Sequence, residues 1–585
     1  MLLLTINFAG ACVLVGSPAP WRSKLSKLAG AIWTGALFIL ISAPLWGSFL
    51  VTLKQAFTYY DAASAFQIQP GMALGAFDEA FYRPLSKGEM VFNPSANFLI
   101  LAGLLYFLAT LRHHFSNRPV ISIAAASLLP LSMAFGLVPP ASIVRLPFFA
   151  NIAHIDNSFT CPLIILWAVL AGAGFAAAAR RLGEREGRDD LIVAALVLFS
   201  LVFGFIAFRQ AVHRSVFGSG VTFSPLNPGQ SIPVSPFVWS YLMTLLSAMA
   251  AMGLTVRHAL SKRSFTPASA FVLAVCIGAF LWRQGQQAGN GFADYVVHPP
   301  LRTNFHASSG AMRFLQEAQQ REPSRSIGLQ NNLFPGWTGT YGIESVSGPD
   351  ALMNPYYREL TAASPLQRVW DWRLYVTRDN LAQSRPFLDF LNVRYYLDLK
   401  SDQGALGAVL KLDRLGDLDV YESPTTWPRA FFTDRISSYE RPEQFVQQIL
   451  QGDGRPFASA LPGAVSLVPT LASLPDDQAS RTVVPAIDYS LTENTTSFDI
   501  DAPEPGLVVL TEAYWAGYPH AAVDGHLVPV VRINHAFEGV AVDSPGKHHV
   551  TFSYRPSNFY FMLGISAAGL ALLAGSAWYV RRSAA

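Results

Sequence analysis

The chain has 585 residues, enough for about three or four ordinary domains. It is 51% hydrophobic and only 14% charged, which excludes a fully soluble protein and implies membrane spans with a water-facing part. The net charge of +3 argues neither for nor against nucleic acid, and no nucleic acid is among the expected partners.

Taken in order, apolar runs occur near 2–16, 29–50, 96–111, 120–138, 162–179, 191–208, 237–256, 267–282 and 558–580. An uncharged run of about 20 residues is long enough to cross the hydrocarbon layer as a helix, so about nine spans are expected, the first and the 96 and 267 runs being short. The last one orients the rest. Phe559, Tyr560 and Phe561 open it, Trp578 and Tyr579 close it, and Arg581 and Arg582 follow. Aromatic rings favour the headgroup level and paired arginines stay on the cytoplasmic side. This helix therefore enters from outside, and the polar stretch before it lies on the outer face.

Counting back, the inside connections hold Arg22, Lys24 and Lys27, then Arg112 and Arg118, then Arg180, Arg181, Arg185 and Arg188, then Arg257, Lys262 and Arg263. The outside connections hold only Lys54, Arg83, Lys87, Arg145, Arg209 and Arg214 over longer loops. The bias agrees with positive-inside sidedness in every pair. Met1 then begins outside. A signal peptide over 2–16 is the weaker alternative, because no basic residue precedes the apolar run. A start that enters a span at once implies missing upstream helices.

The three cysteines, Cys12, Cys161 and Cys276, fall in or beside spans and offer neither a disulfide framework nor metal-ligand spacing. Two outer loops hold the candidate site residues. In the loop 51–95, Asp61, Asp78 and Glu79 are candidate general bases for a hydroxyl acceptor, with Arg83 beside them as a phosphate-binding cation. The bland reading, solvated loop acids, stands at about two to one. In the loop 139–161, Arg145 and His154 could hold a lipid phosphate, or anchor the loop at the interface.

The outer stretch divides in two. Over 283–475, helical and strand signals alternate and imply an α/β domain. Ser309 precedes Ala311, Phe314, Leu315 and Ala318 at helical spacing, and Phe387, Phe390 and Leu391 lead into an extended Val393–Leu397. Trp337, Tyr341, Tyr356, Tyr357, Trp370, Trp372 and Tyr375 are sugar-stacking platforms or, more often, core. Over 476–557 the period falls to two: Val550, Phe552 and Tyr554 share one face, and Val540 with Val542 repeats the pattern. Asp524-Gly525 and Pro545-Gly546 mark turns, so a small β-sandwich hands the chain to the last span, 558–585. His548 and His549 face opposite ways and cannot chelate one metal. No phosphate loop, dinucleotide fingerprint, zinc-protease motif or nucleophile elbow is present.

The stretches LTEAYWAGYPHAAVDG (510–525), VVRINHAFEGVAV (530–542) and GKHHVTFSYRPSNF (546–559) resemble the C-terminal signature of the bacterial YfhO membrane protein family. YGIESVSGPDAL (341–352), FLDFLNVRYYL (387–397), DVYESPTTWPRAFF (419–432) and LPFFANIAHIDNSF (146–159) support it in the right order. The resemblance implies a GT-C-type glycosyltransferase of the bacterial cytoplasmic membrane. Its donor is a polyprenyl-phosphate-linked sugar and its acceptor an envelope glycan, lipid or protein. No nucleotide cofactor is implied, and a divalent metal is compatible. The family's acidic residue lies in the first exterior loop, after the first span; this chain has no such loop, so the acids of 51–95 inherit no role by motif. The competing expectation is a non-catalytic, membrane-anchored envelope assembly or carbohydrate-binding protein.

Overall fold

The computed structural model describes residues 2–57, 98–143, 145, 155–184, 309–330, 337–347, 352–369, 373–400, 406, 409–412, 418–466 and 468–584. The chain divides into two compact units, Met1–Ala36 with Tyr60–Phe292, and Leu37–Tyr59 with Ala293–Ala585. The longer described helices of the first 184 residues are α1 (Leu2–Ala11, continued by a π turn over Cys12–Gly16), α2 (Trp21–Ile41), α3 (Ala43–Gln55), α4 (Phe98–Ala109), α5 (Arg118–Ala134) and α6 (Ile155–Glu184), with single turns at Leu111–His114 and Pro140–Ile143.

In the first unit α6 packs on α4 and α5. The approach is close because the crossing uses glycines: a Cβ on Gly174 would run into the Gly103 carbonyl oxygen. Small residues of this kind let apolar helices meet backbone to backbone. Asn7 Nδ2 donates to the Ala126 carbonyl at 2.6 Å and ties α1 to α5.

Among the described residues, three helical segments are long and apolar enough to cross a membrane: Trp21–Ile41, Ser158–Ala177 and Phe559–Arg582. Leu3–Gly16 and Arg118–Ala134 are apolar but shorter. The runs at 191–208, 237–256 and 267–282 lie outside the described residues, so nine spans are not supported. The expected span 29–50 is also divided. It breaks at Ser42, just before Pro44 in the first turn of α3, where the pyrrolidine cannot donate to the preceding turn. Ser42 Oγ donates to the Phe38 carbonyl at 2.7 Å and the Trp46 indole to Ile39 at 2.8 Å, which satisfies oxygens at the break.

The second unit begins its water-facing body with α7 (Gly310–Arg321), and Ser309 caps it as the spacing predicts, accepting from the Met312 amide at 3.1 Å. A sheet follows in the order β1 (Arg325–Gly328), β2 (Val393–Leu399), β4 (Leu418–Glu422), β3 (Leu410–Leu412). The β1–β2 pair is parallel and the others are antiparallel. Helix α8 (Pro355–Ala363) and helix α9 (Arg378–Phe390) come between β1 and β2. Tyr395 and Leu397 of β2 pack with Ala311 and Leu315 of α7, while Tyr396 packs with Phe387 and Phe390 of α9. Period-two alternation along one strand thus serves two helices on opposite faces.

The sandwich has two antiparallel sheets. One has the order β6 (Val483–Pro485), β5 (Ala430–Thr433), β9 (Gly506–Leu510), β13 (Phe537–Val542), β12 (Val531–Ile533). The other has the order β7 (Ile487–Leu491), β8 (Thr495–Ala502), β14 (Gly546–Tyr554), β10 (Pro519–Val523), β11 (His526–Val528). Strand β5 comes from before residue 476 and sits between β6 and β9. Asp524 and Gly525 have φ of 50° and 79°, the two positive values of the tight hairpin turn that joins β10 to β11. Val508, Leu510, Val540 and Val542 face the second sheet, whereas Leu507, Val509, Phe537 and Ala541 face a cluster with α9 and with α10 (Pro442–Gln451). The first sheet is therefore an inner layer buried on both sides, which is why β9 is a continuous apolar run and β13 is buried at every position rather than at alternate ones.

The last helix, α11 (Phe559–Ala584), is apolar all round yet exposed: Phe561, Leu570 and Tyr579 show 69%, 53% and 69% of their surface. A helix of that kind needs an apolar surrounding. Within the second unit it runs antiparallel to α3 and the end of α2, with Met562 against Gly47 of α3 and Gly569 against Leu40 and Ile41 of α2. Ser566 Oγ donates to the Ile41 carbonyl at 2.7 Å. A Cβ on Gly569 would lie 2.9 Å from Leu40 Cβ and 3.1 Å from the Ile41 backbone nitrogen, so Gly569→Leu forces the helices apart. We expect it to lower stability by about 1–3 kcal/mol, read as a lower melting midpoint of the detergent-purified chain; an unchanged midpoint contradicts the contact.

Candidate functional site

Helix α3 does not end free. Phe57, two residues beyond it, exchanges backbone hydrogen bonds with Met353 at 2.8 and 2.7 Å. Gln55 Nε2 donates to the Ala516 carbonyl at 2.9 Å and the Tyr518 hydroxyl to the Ser48 carbonyl at 2.9 Å. The Arg358 guanidinium covers the Phe57 ring at 3.6 Å. The segments 353–358 and 515–518 are thereby fixed against the helix, and a cavity of about 240 Å³ opens behind them. Met353, Asn354, Tyr357 and Trp515 line it from that side; Arg325, Ser345, Thr511, Glu512 and Phe537 line it from the sheets.

Asn354 caps α8, accepting from the Tyr356 and Tyr357 amides at 3.0 Å, and its Nδ2 donates to the Tyr514 carbonyl at 2.7 Å. Tyr357 donates to the Val346 carbonyl at 3.1 Å, and burial pushes its hydroxyl up to about 12. Both side chains are therefore held in place by the fold and present rigid walls.

A buried charge cluster forms the floor. Arg429 is 4% exposed. Its Nη1 lies 2.7 Å from Glu344 Oε2, its Nε donates to Glu512 Oε1 at 3.1 Å, and its Nη2 bonds the same oxygen. Arg325 donates to the carbonyls of Leu391 and Thr511 at 3.0 and 2.6 Å, and its Nη2 stands 3.7 Å from Glu512 Oε2. Burial alone would raise the Glu512 carboxyl, but Arg429 and Arg325 outweigh it and hold the group below its ordinary range. Burial lowers Arg325, and its neighbour Arg429 adds to that. Glu512 is thus a fixed anion in the cavity lining.

Glu538 behaves oppositely. It is fully buried on β13 and accepts from the Tyr554 hydroxyl at 3.1 Å. Burial first, and the Glu512 charge second, push its carboxyl well above the ordinary range. It stays protonated where Glu512 is ionised, an environment-driven separation of two acids.

Asp61, Asp78, Glu79, Arg83 and His154 lie outside the described residues, and Arg145 is an exposed turn residue. Trp370 and Trp372 also lie outside. His548 and His549 pair separately with Asp524 at 2.7 Å and Asp499 at 2.6 Å, and among the described residues no group of acidic, His or Cys side chains could hold a metal. Sequence reasoning missed Arg325, Glu344, Arg429, Glu512 and Glu538. The signal was a charge inside an apolar run, as in WPRAFF, LTEAYW and FEGVAV, because an ion in such a run must find a partner when buried. Other motif residues are structural. Asp389 accepts from Ser423 and Thr425 at 2.6 Å each, and Asn534 clamps residues 457–459.

Two outcomes are expected. Arg429→Met leaves Glu512 and Glu344 without their main counter-ion and should cost about 3–5 kcal/mol, seen as loss of folded protein or a sharply lower melting midpoint; wild-type melting contradicts the cluster. For Glu538 the folded chain holds its proton more tightly than the unfolded one, so stability falls as pH rises past about 4.3 until the folded carboxyl ionises. Glu538→Gln should flatten that fall in a melting series from pH 5 upward, and an unchanged slope contradicts the assignment.

No protein family, curated protein or solved structure matches the chain.

Proposed function

We propose that the chain is a multi-pass protein of the bacterial cytoplasmic membrane that holds its α/β and β-sandwich body on the outer face and handles envelope carbohydrate there. The observation that carries this reading is the antiparallel pairing of the all-round apolar α11 with α3 and the end of α2. Arg22, Lys24 and Lys27 precede that contact in the chain and Arg581 and Arg582 follow it, so positive-inside sidedness puts the body, which joins the other ends, outside. The resemblance to the YfhO family supplies the chemistry: transfer of a sugar from a polyprenyl-phosphate carrier to an envelope acceptor, GT-C fashion. An outer carboxylate, with Asp61, Asp78 and Glu79 as candidates, accepts the proton of the attacking hydroxyl, and Arg83, Arg145 and His154 stabilise the departing phosphate. A second reading, a membrane-anchored carbohydrate-binding or assembly protein, is favoured by the walled cavity in the body.

Leu527 is 85% exposed on the sandwich. In a chain whose native cysteines are replaced, Leu527→Cys should react with a membrane-impermeant maleimide in intact cells; reaction only after lysis overturns the sidedness. Membranes carrying the chain should move labelled sugar from a polyprenyl-phosphate donor into envelope material, and Asp78→Asn with Glu79→Gln should abolish this. Transfer equal to that of membranes without the chain removes the transferase reading.

A further inference from the structure

We infer that the cavity behind Trp515 is a binding site for one neutral pyranose ring. This rests on the reading that the protein handles envelope carbohydrate, and it holds whether or not the chain transfers sugar.

Size limits the ligand first. About 240 Å³ is below the roughly 300–1,000 Å³ of pockets for drug-sized molecules, so the cavity admits one ring and not a disaccharide. Charge limits it next. The lining carries one cation, Arg325, and one anion, Glu512, so neither a phosphate nor an ammonium group gains net attraction. What this pair suits is a pair of hydroxyls. Glu512 Oε1 is taken by Arg429, while Oε2 stands 3.7 Å from Arg325 Nη2, beyond hydrogen-bond reach. A vicinal diol set across the two groups from the cavity side, not between them, can donate from one hydroxyl to Glu512 and accept from the guanidinium at its neighbour. Charge-assisted bonds of this sort are the strong ones.

The walls complete the match. Trp515 offers an indole and Phe537 a phenyl ring; the electron-rich face of an aromatic attracts the C–H groups of a pyranose, which are weakly positive. Ser345 lines the same space and brings a hydroxyl to it, whereas the Thr511 hydroxyl is spent on the Arg429 carbonyl at 3.0 Å. Because Met353 and the 515–518 turn are bonded to the end of α3, the site lies at the base of the body, beside the helix pair, where a sugar on a lipid or on a membrane-bound polymer would arrive.

The test uses the full chain in detergent or nanodiscs and saturation-transfer NMR with methyl glucoside, galactoside, mannoside and N-acetylglucosaminide. At least one should give a saturable signal that inorganic phosphate and choline leave unchanged. Trp515→Ala should weaken it at least tenfold. Ala513→Phe, which fills the cavity without touching the charges, should abolish it while the melting midpoint stays near wild type. No saturable signal from any pyranoside, displacement by phosphate, or wild-type affinity in both variants overturns the site. Pyranoside binding by a chain that transfers no sugar keeps this site and removes the transferase reading; sugar transfer without pyranoside binding does the reverse.

Discussion

The close approach of α11 to α3 and to the end of α2 is the constraint on which the body depends. Two apolar helices in an apolar surrounding gain nothing from hiding their leucines from water, so their association rests on packing and on hydrogen bonds between them. Gly47 and Gly569 remove the side chains that would hold the backbones apart, and Ser566 donates across the gap. The helix so fixed runs on through Gln55 into Phe57, whose backbone pairs with Met353. Whatever sets α3 therefore sets one wall of the cavity. A slip by one turn would move Gln55 and Phe57 by about 5 Å, enough to break every bond to residues 353 and 516.

The opposite wall is set by charge. Arg325, Glu344, Arg429 and Glu512 come from four segments spread over nearly two hundred residues, and Arg429 and Glu512 lie in apolar stretches. Bringing them together costs desolvation that a hydrophobic contact would avoid. What the cluster provides instead is a register: the sandwich edge at Thr511 and Glu512 can meet the α/β sheet at Arg325 in one arrangement only, with Thr511 also bonded to the Arg429 carbonyl at 2.9 Å. Burial, and then the Glu512 charge, push the nearby Glu538 carboxyl well above its ordinary range, so a further charge there is disfavoured.

Much of the body was legible where one local rule acted alone. Ser309 announced a helix start, Asp524-Gly525 a hairpin, and the alternation of Val550 and Phe552 a half-buried strand; each is a short-range preference that tertiary packing left in place. The last helix was legible for the same reason, since an apolar run of that length has few alternatives. The insertion of Ala430–Thr433 into the sandwich was not legible. Its side chains are buried on both faces, so the strand has no period, and its partners lie some fifty residues or more along the chain. The break at Ser42 was hidden by apolar residues on both sides. The cavity was hidden because its lining mixes residues from segments that only the folded chain brings together.

That α11 forms one antiparallel stem with α3 and the end of α2 beneath the body is tested most directly by disulfide trapping. With the native cysteines replaced, Leu40→Cys and Gly569→Cys place their Cβ atoms close to the roughly 3.5–4.5 Å of a natural disulfide. Mild oxidation of native membranes should then give a cross-linked band within the chain, whereas Leu40→Cys with Phe559→Cys should give none. Two thiols at 40 and 569 that both react with maleimide yet never join would contradict the stem, and with it the placing of the body that the rest of the account requires.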